Sequence, residues 1–251
     1  MIDNTLTTLP IGRLLHDEDG KPTRFRIPDY QRGYRWRKEQ VVALLDDLCE
    51  FFESPQADPA KEGKSPASFY CLQPLVVAPS KDPEADYDVV DGQQRLTTIF
   101  LLLRYLMHEE NGAAFEKLFT IDYETRERCH EYLRNIDPEK KNKNMDFFRI
   151  YEASEEIKRW FQDKTDLDKK SFLQMLRDSD QSGANFRFIW YQLPEKEGKK
   201  EDQVEAFTRI NDGKIPLCDE ELIRALFLRH LAAGAVAESA FQHRIALDWD
   251  R

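Results

Sequence analysis

The sequence predicts a globular fold that mixes helices with short strands, and three observations support this prediction. The chain has 251 residues with 41% hydrophobic content, which is enough for a sizeable core. Segments with a 3.6-residue apolar period are interspersed with short β-branched runs. No apolar run approaches the roughly 20 residues needed to cross a bilayer, and residues 1–4 lack the features of a signal peptide. We therefore expect a cytoplasmic protein with no membrane partner.

The first half of the chain contains the stronger structural signals. Residues 23–36 are predicted to be extended, because Pro28 disfavours helix just before it and apolar residues alternate with arginines. The other predicted elements are an amphipathic helix at 38–52, a surface loop at 54–68, strands at 70–78 and 87–90, and a buried helix at 93–108.

The second half gives weaker signals. The clearest is a strand at 186–193, which places Phe186, Phe188 and Trp190 on one face with Gln192. The remaining predictions are a strand at 118–123, helices at 126–135, 147–162, 170–177 and 202–210, a Lys/Asn-rich loop at 138–144, and a last helix that starts near Asp219.

Charge is distributed unevenly along the chain. The formal net charge of −10 opposes nonspecific binding to duplex nucleic acid. The segment from Lys21 to Lys38, however, contains seven cationic residues and a single acidic residue, Asp29. Such a basic island in an acidic protein indicates a local anion site. The cysteines and histidines have neither zinc-ligand nor triad spacing, and the sequence contains no Walker lysine loop.

Within residues 89–98, the second motif, the segment from Asp91 to Arg95 is predicted to form a polyanion site together with residues 27–36. A strand leads through Asp91 and Gly92 into a helix, whose N-terminus offers N–H groups and partial positive charge. Arg95 could hold a phosphate bidentately, and Asp91 could hold Mg²⁺ or orient water. Gln93 and Gln94 could donate to phosphate and accept from water. The alternative is that Asp91 caps the helix while Arg95 forms a salt bridge.

Residues 27–36, the first motif, combine cations with aromatic side chains that could stack on a base. The alternative is a solvated edge strand whose aromatics pack inward. The candidate nucleotide- and phosphate-binding residues here are Gln31, Arg32, Tyr34, Arg35 and Trp36, and Gly92 joins them from the second motif.

A third motif, residues 207–217, passes from a helix end into a glycine turn. Its Arg209, Asn211 and Lys214 could close over the same ligand. The alternative is an ordinary helix C-cap followed by a turn.

The order and spacing of the three motifs resemble the N-terminal domain of GmrSD-type modification-dependent restriction enzymes, over about residues 10–230. The resemblance implies an α+β fold: a ParB/sulfiredoxin-like core with a small mixed sheet at 1–110, and a largely helical extension at 111–251. The extension would complete the same domain with a returning strand near 186–193. It also implies that the Asp-Gly-Gln-Gln-Arg segment binds and hydrolyses a nucleoside triphosphate, with Asp91, Gln93, Gln94 and Arg95 as catalytic residues and Mg²⁺ as cofactor.

The same resemblance implies a role in antiphage defence, in which this domain regulates an HNH-type nuclease that cuts modified DNA. The chain has no His-Asn-His constellation, so by itself it should not cleave DNA by that route. Residues 246–251 read as the middle of an element, and we expect a nuclease domain beyond residue 251 or on a separate subunit. The alternatives are a DNA-binding module that senses modified DNA without hydrolysis, and an inactive scaffold that forms homo-oligomers or docks a nuclease.

Overall fold

The structure is a computed structural model, and it describes residues 5–15, 20–57, 69–111, 118–193 and 200–211. Its α+β fold contains helices and one mixed sheet. The strands are β1 (Thr5–Pro10), β2 (Arg24–Ile27), β3 (Tyr70–Pro79), β4 (Tyr87–Asp91), β5 (Thr120–Tyr123) and β6 (Phe186–Gln192). The helices are α1 (Ile11–Leu15), α2 (Lys38–Glu53), α3 (Gln93–Asn111), α4 (Cys129–Arg134), α5 (Met145–Asp163), α6 (Lys169–Arg177) and α7 (Lys200–Asn211), with short 3-10 helices at Pro55–Ala57 and Pro138–Lys143.

The six strands follow the order β1-β6-β3-β4-β2-β5. β6 runs antiparallel to β1 and parallel to β3, while β4 is antiparallel to β3 and parallel to β2, which is also parallel to β5. The pairing of β3 with β4 shifts register between Val76 and Val77. This irregularity lies beside the carboxyl end of β4, where the second motif begins.

The main hydrophobic core joins the sheet to α2, α3, α5 and α6. α3 is its central helix, because the residues from Ile99 to Leu103 are all buried. A smaller cluster is formed by Tyr30, Val76, Ala78, Val90, Val204 and Phe207. Since consecutive strand residues point to opposite faces and Val89 belongs to the main core, the smaller cluster packs α7 on the other face of the sheet.

Most of the predicted elements are confirmed to within a few residues, including the strand predicted at 186–193, which is β6. Three predictions are wrong in detail. The extended segment 23–36 forms a strand only at Arg24–Ile27, because the backbone beyond Pro28 is held by side chains of α3 rather than by a ladder. The predicted loop at 138–144 is largely a 3-10 helix with Asp137 as its N-cap, and the helix predicted at 126–135 begins only at Cys129.

β1 and α1 were not predicted at all. β1 owes its structure to pairing with β6, which is about 180 residues away in sequence. The helix predicted near Asp219 lies outside the described residues. Among the helices that the structure describes, none has the length and apolar character needed to span a bilayer.

Candidate functional site

The second motif forms a tight junction between a strand and a helix. β4 ends at Asp91, α3 begins at Gln93, and Gly92 between them has a φ of +95°. A Cβ at Gly92 would lie 2.9 Å from the Pro74 carbonyl oxygen. Only glycine accepts this backbone conformation so close to β3. The first turn of α3 is therefore held against the irregular part of β3.

Arg95 is fixed on the β3 side of this junction. Its Nη1 donates to Gln73 Oε1 at 2.9 Å and its Nη2 to the Pro74 carbonyl at 2.6 Å. The Asp91 carboxylate is 3.9 Å from Nη2, so the ion pair is long. Burial lowers the pKa of the guanidinium, and Asp91 only partly opposes this effect. Within the described part of the chain, the site thus holds a partly buried positive charge without a close carboxylate contact.

The Gln94 side chain contacts the first motif, whereas Arg95 contacts β3. Its Oε1 accepts from the backbone N–H groups of Arg35 at 2.8 Å and Trp36 at 3.2 Å, and its Nε2 donates to the Gly33 carbonyl at 3.0 Å. The side chain is buried. This geometry brings the first two motifs together, and the Gln94 side chain holds the backbone of residues 33–36 in place.

Four buried polar atoms of the first two motifs have no hydrogen-bond partner within the described ranges. They are Tyr30 Oη, Gln31 Oε1, Gln93 Oε1 and Arg95 Nε. The Gln31 amide cannot simply be turned over, because its Nε2 donates to the carbonyl oxygens of both Val89 and Val90. Buried polar groups are rarely left unsatisfied in folded proteins. This cluster at the carboxyl end of β4 therefore has the character of a ligand site.

Tyr30 lies in an acidic part of this cluster. Burial raises the pKa of its hydroxyl far above the usual range, and the Asp88 carboxylate raises it further. The neighbouring Gln31 side chain acts in the opposite direction and lowers this pKa. The hydroxyl is therefore protonated at neutral pH and can act as a donor.

The other predicted residues of the first motif differ in their accessibility. Arg32 is exposed, while Arg35 and Trp36 are half-buried. Tyr34 has no exposed surface, and its hydroxyl bonds to Thr98 Oγ1 at 2.9 Å. The predicted stacking of Tyr34 on a base therefore does not fit the structure, because its ring is part of the main core.

The basic island is largely neutralised by neighbouring acids. Arg24 contacts Asp86 at 2.7 Å, and Arg26 contacts Asp88 at 2.8 Å. Partial burial acts to raise the pKa of Asp86, but hydrogen bonds from Arg24 lower it below its usual value. Both arginines lie on the face of β2 opposite to Phe25 and Ile27, which are buried in the main core. Because both arginines are paired with carboxylates, they contribute little net positive charge to a ligand site.

The start of the third motif reaches the first motif through α7. The rings of Tyr30 and Phe207 lie 5.5 Å apart, and Gln203 Nε2 donates to Asp88 Oδ2 at 3.1 Å. The side chains of Arg209 and Asn211, and the whole of Lys214, lie outside the described part of the molecule. Their predicted contact with a ligand stays a prediction.

Sequence reasoning missed two residues that contact the site from outside the motifs. Gln73 fixes Arg95, and Asp146 forms an ion pair with Arg35. The one available signal for Asp146 was its place after Asn144, a strong helix N-cap, where acids are common. No group of three or more His, Cys, Asp or Glu side chains suited to a metal ion occurs among the residues that the structure describes.

The fold and the site together define an α+β domain in which two sequence motifs surround one helix start. The family model for the GmrSD restriction endonuclease N-terminal domain matches residues 11–228. The chain therefore belongs to this family, which places it among the components of restriction systems. A search of curated proteins finds no match.

Proposed function

We propose that this chain binds a nucleoside triphosphate at the start of α3 and hydrolyses it, as the regulatory domain of a modification-dependent restriction system. The observation that carries the proposal is the cluster of buried polar atoms on Tyr30, Gln31, Gln93 and Arg95 that have no hydrogen-bond partner among the described residues. A ligand that supplies their missing hydrogen bonds would recover free energy, since each unmet buried group costs about 1–3 kcal/mol.

The kinds of atom in this cluster suit a nucleotide better than a simple anion. The Gln31 oxygen needs a donor, which a ribose hydroxyl or a base N–H group provides. The Arg95 Nε–H and the N-terminus of α3 need an acceptor, which phosphate oxygens provide. One ligand that carries both kinds of group is a nucleoside phosphate.

Asp91 is the residue suited to Mg²⁺ in this proposal. Its side chain is 17% exposed at the carboxyl end of β4, beside the start of α3. One carboxylate is a common protein contribution to Mg²⁺, with phosphate and water oxygens completing the shell. When bound, the ion would neutralise charge on the phosphates.

Hydrolysis would use a water molecule that the Gln93 side chain orients. The water oxygen attacks the γ-phosphorus, the bond to the β–γ bridging oxygen breaks, and a proton leaves to solvent. The products are the nucleoside diphosphate and inorganic phosphate. Arg95, which is held by Gln73 and Pro74, would stabilise the charge on the phosphoryl group without reorganisation.

The test is titration of the chain with ATP, GTP, CTP and UTP in the presence of Mg²⁺, measured by thermal shift and by phosphate release. At least one nucleotide should raise the melting temperature and release phosphate. Arg95→Ala should weaken binding by about 10-fold or more without unfolding the chain, because a charge-assisted contact is lost. Arg104→Ala, on the same helix but bonded to the Arg134 carbonyl, is the matched control and should bind normally.

Normal binding by Arg95→Ala would show that the site is assigned wrongly. The absence of a shift with every nucleotide would favour the second candidate, a DNA-binding module that senses modified DNA. The exposure of Arg32 and Arg37 favours that candidate. A steep fall of DNA affinity with salt would support it, whereas the buried rings of Tyr30 and Tyr34 argue against base stacking.

A further inference from the structure

Asp146 is a buried carboxylate in contact with the first motif, although it lies more than 100 residues further along the chain. It lies in the first turn of α5 with 5% of its surface exposed. Its Oδ1 forms an ion pair with Arg35 Nη1, and its Oδ2 lies 2.8 Å from Arg126 Nε. One carboxylate thus joins two arginines from two different segments.

The backbone of the first motif is shaped to admit this carboxylate. A Cβ on Gly33 would overlap Asp146 Oδ1. The neighbouring carbonyl of Gly33 is held by Gln94 Nε2 at 3.0 Å. Residues 33–35 are therefore fixed on one side by the helix start of α3 and on the other by α5.

These contacts restrain only one edge of the Arg35 guanidinium. Its Nη1 donates both to Asp146 and to the Tyr34 carbonyl at 2.9 Å. The opposite edge, formed by Nε and Nη2, is the edge that grips a phosphate bidentately. The Arg35 side chain is 33% exposed, so a ligand can reach it.

We propose that Asp146 is a positioning residue, which holds Arg35 so that its Nε–Nη2 edge faces the phosphates of the bound nucleotide. This inference rests on the proposed function. A free arginine side chain loses considerable rotamer entropy when it binds, and a preset one loses less. Asp146 therefore acts on nucleotide affinity through Arg35, and it does not touch the ligand.

The test is a double-mutant cycle of Arg35→Ala and Asp146→Asn, with the dissociation constant of the best nucleotide as readout. Asparagine keeps the shape that fits against Gly33 and removes the charge. Each single variant should weaken binding about 10-fold, and the double variant should also weaken it about 10-fold rather than about 100-fold. The rate of phosphate release at saturation should change less than the affinity.

Glu156→Gln is the matched control. Glu156 is also a buried acid on α5 and also contacts two cations, Lys38 and Arg159, but neither of these belongs to the first motif. This variant should bind nucleotide normally even if it loses stability. If Asp146→Asn does not fold, Asp146→Glu keeps the charge while its longer side chain displaces Arg35, and should weaken binding similarly.

The possible results separate this inference from the proposed function. Normal nucleotide binding by Asp146→Asn, or additive losses of affinity in the double variant, would overturn the positioning role of Asp146. If Arg95→Ala still lost affinity in the same experiments, the assignment of the nucleotide site would remain valid. A chain that binds none of the four nucleotides would overturn both.

Discussion

Gly92 shows how much of this site depends on one backbone position. Its φ of +95° costs a side chain free energy, and the Pro74 carbonyl leaves no space for a Cβ. Gly20 shares the first constraint but not the second, since its φ is +76° and a Cβ there would have no described atom within 4 Å. The two glycines therefore allow backbone strain to be separated from crowding.

We expect Gly92→Ala to destabilise the chain by about 2–4 kcal/mol, and Gly20→Ala by about 1 kcal/mol, because only the former adds a steric clash to the backbone strain. Urea denaturation of both variants measures the difference. Gly92→Ala should also weaken nucleotide binding, because α3 must shift away from β3. Equal costs for the two variants would contradict the role given to the Pro74 carbonyl.

At the scale of the element, Gln93 and Gln94 in the first turn of α3 have different roles. Gln94 uses its amide to hold the backbone of residues 33–36. Gln93 is equally buried, but its oxygen has no partner among the described residues. Because successive helix residues point about 100° apart, the two amides serve different neighbours. One amide stabilises the fold, and the other is available for a ligand.

This division predicts opposite phenotypes for two adjacent substitutions. Gln94→Ala should lower the free energy of unfolding by about 1–3 kcal/mol, because it leaves buried backbone groups without partners. Gln93→Ala should leave stability unchanged or slightly higher, since it removes an unsatisfied buried acceptor, yet it should slow phosphate release. Denaturant melts and single-turnover assays on both variants make the comparison. Similar losses of stability in the two variants would refute the division.

At the scale of the whole molecule, the described part of α7 packs apart from the main core. It packs on the opposite face of the sheet from the main core, through the small cluster that contains Val204 and Phe207. Tyr30 belongs to that cluster through its ring and to the candidate site through its hydroxyl. Occupancy of the site and docking of α7 should therefore be linked, because both depend on the position of one side chain.

We expect Phe207→Ala to release α7 without unfolding the rest of the chain. Hydrogen exchange should show loss of protection across α7, while the main unfolding transition shifts by about 1 kcal/mol or less. Phe172→Ala, a fully buried change in the main core, should instead cost about 3–5 kcal/mol globally. Cooperative loss of the whole fold in Phe207→Ala would show that α7 belongs to the main core.

Several features could be predicted because they depend on neighbours in sequence. The 3.6-residue period of α2 and α3, the apolar runs of β3 and β4, and the glycine between Asp91 and Gln93 are all local patterns. β1 was missed because it pairs with β6, a segment about 180 residues further along the chain. The stacking assigned to Tyr34 was wrong because nothing in the pattern distinguishes an aromatic residue that faces a ligand from one that fills the core.

The sequence by itself determined the mixed helix and strand composition, the place where a strand turns into a helix at Gly92, and the family through its ordered motifs. Only the tertiary structure decided which side chains remain available to a ligand. Arg24 and Arg26 form ion pairs with Asp86, just before β4, and with Asp88 on β4. The Gln94 amide oxygen accepts a hydrogen bond from the backbone of the first motif, and Arg35 forms an ion pair with Asp146 on α5. The physical reason is that polar groups form hydrogen bonds and ion pairs with the groups that are close to them in the folded chain. Many of these groups are far away in sequence, so a local sequence pattern cannot predict them.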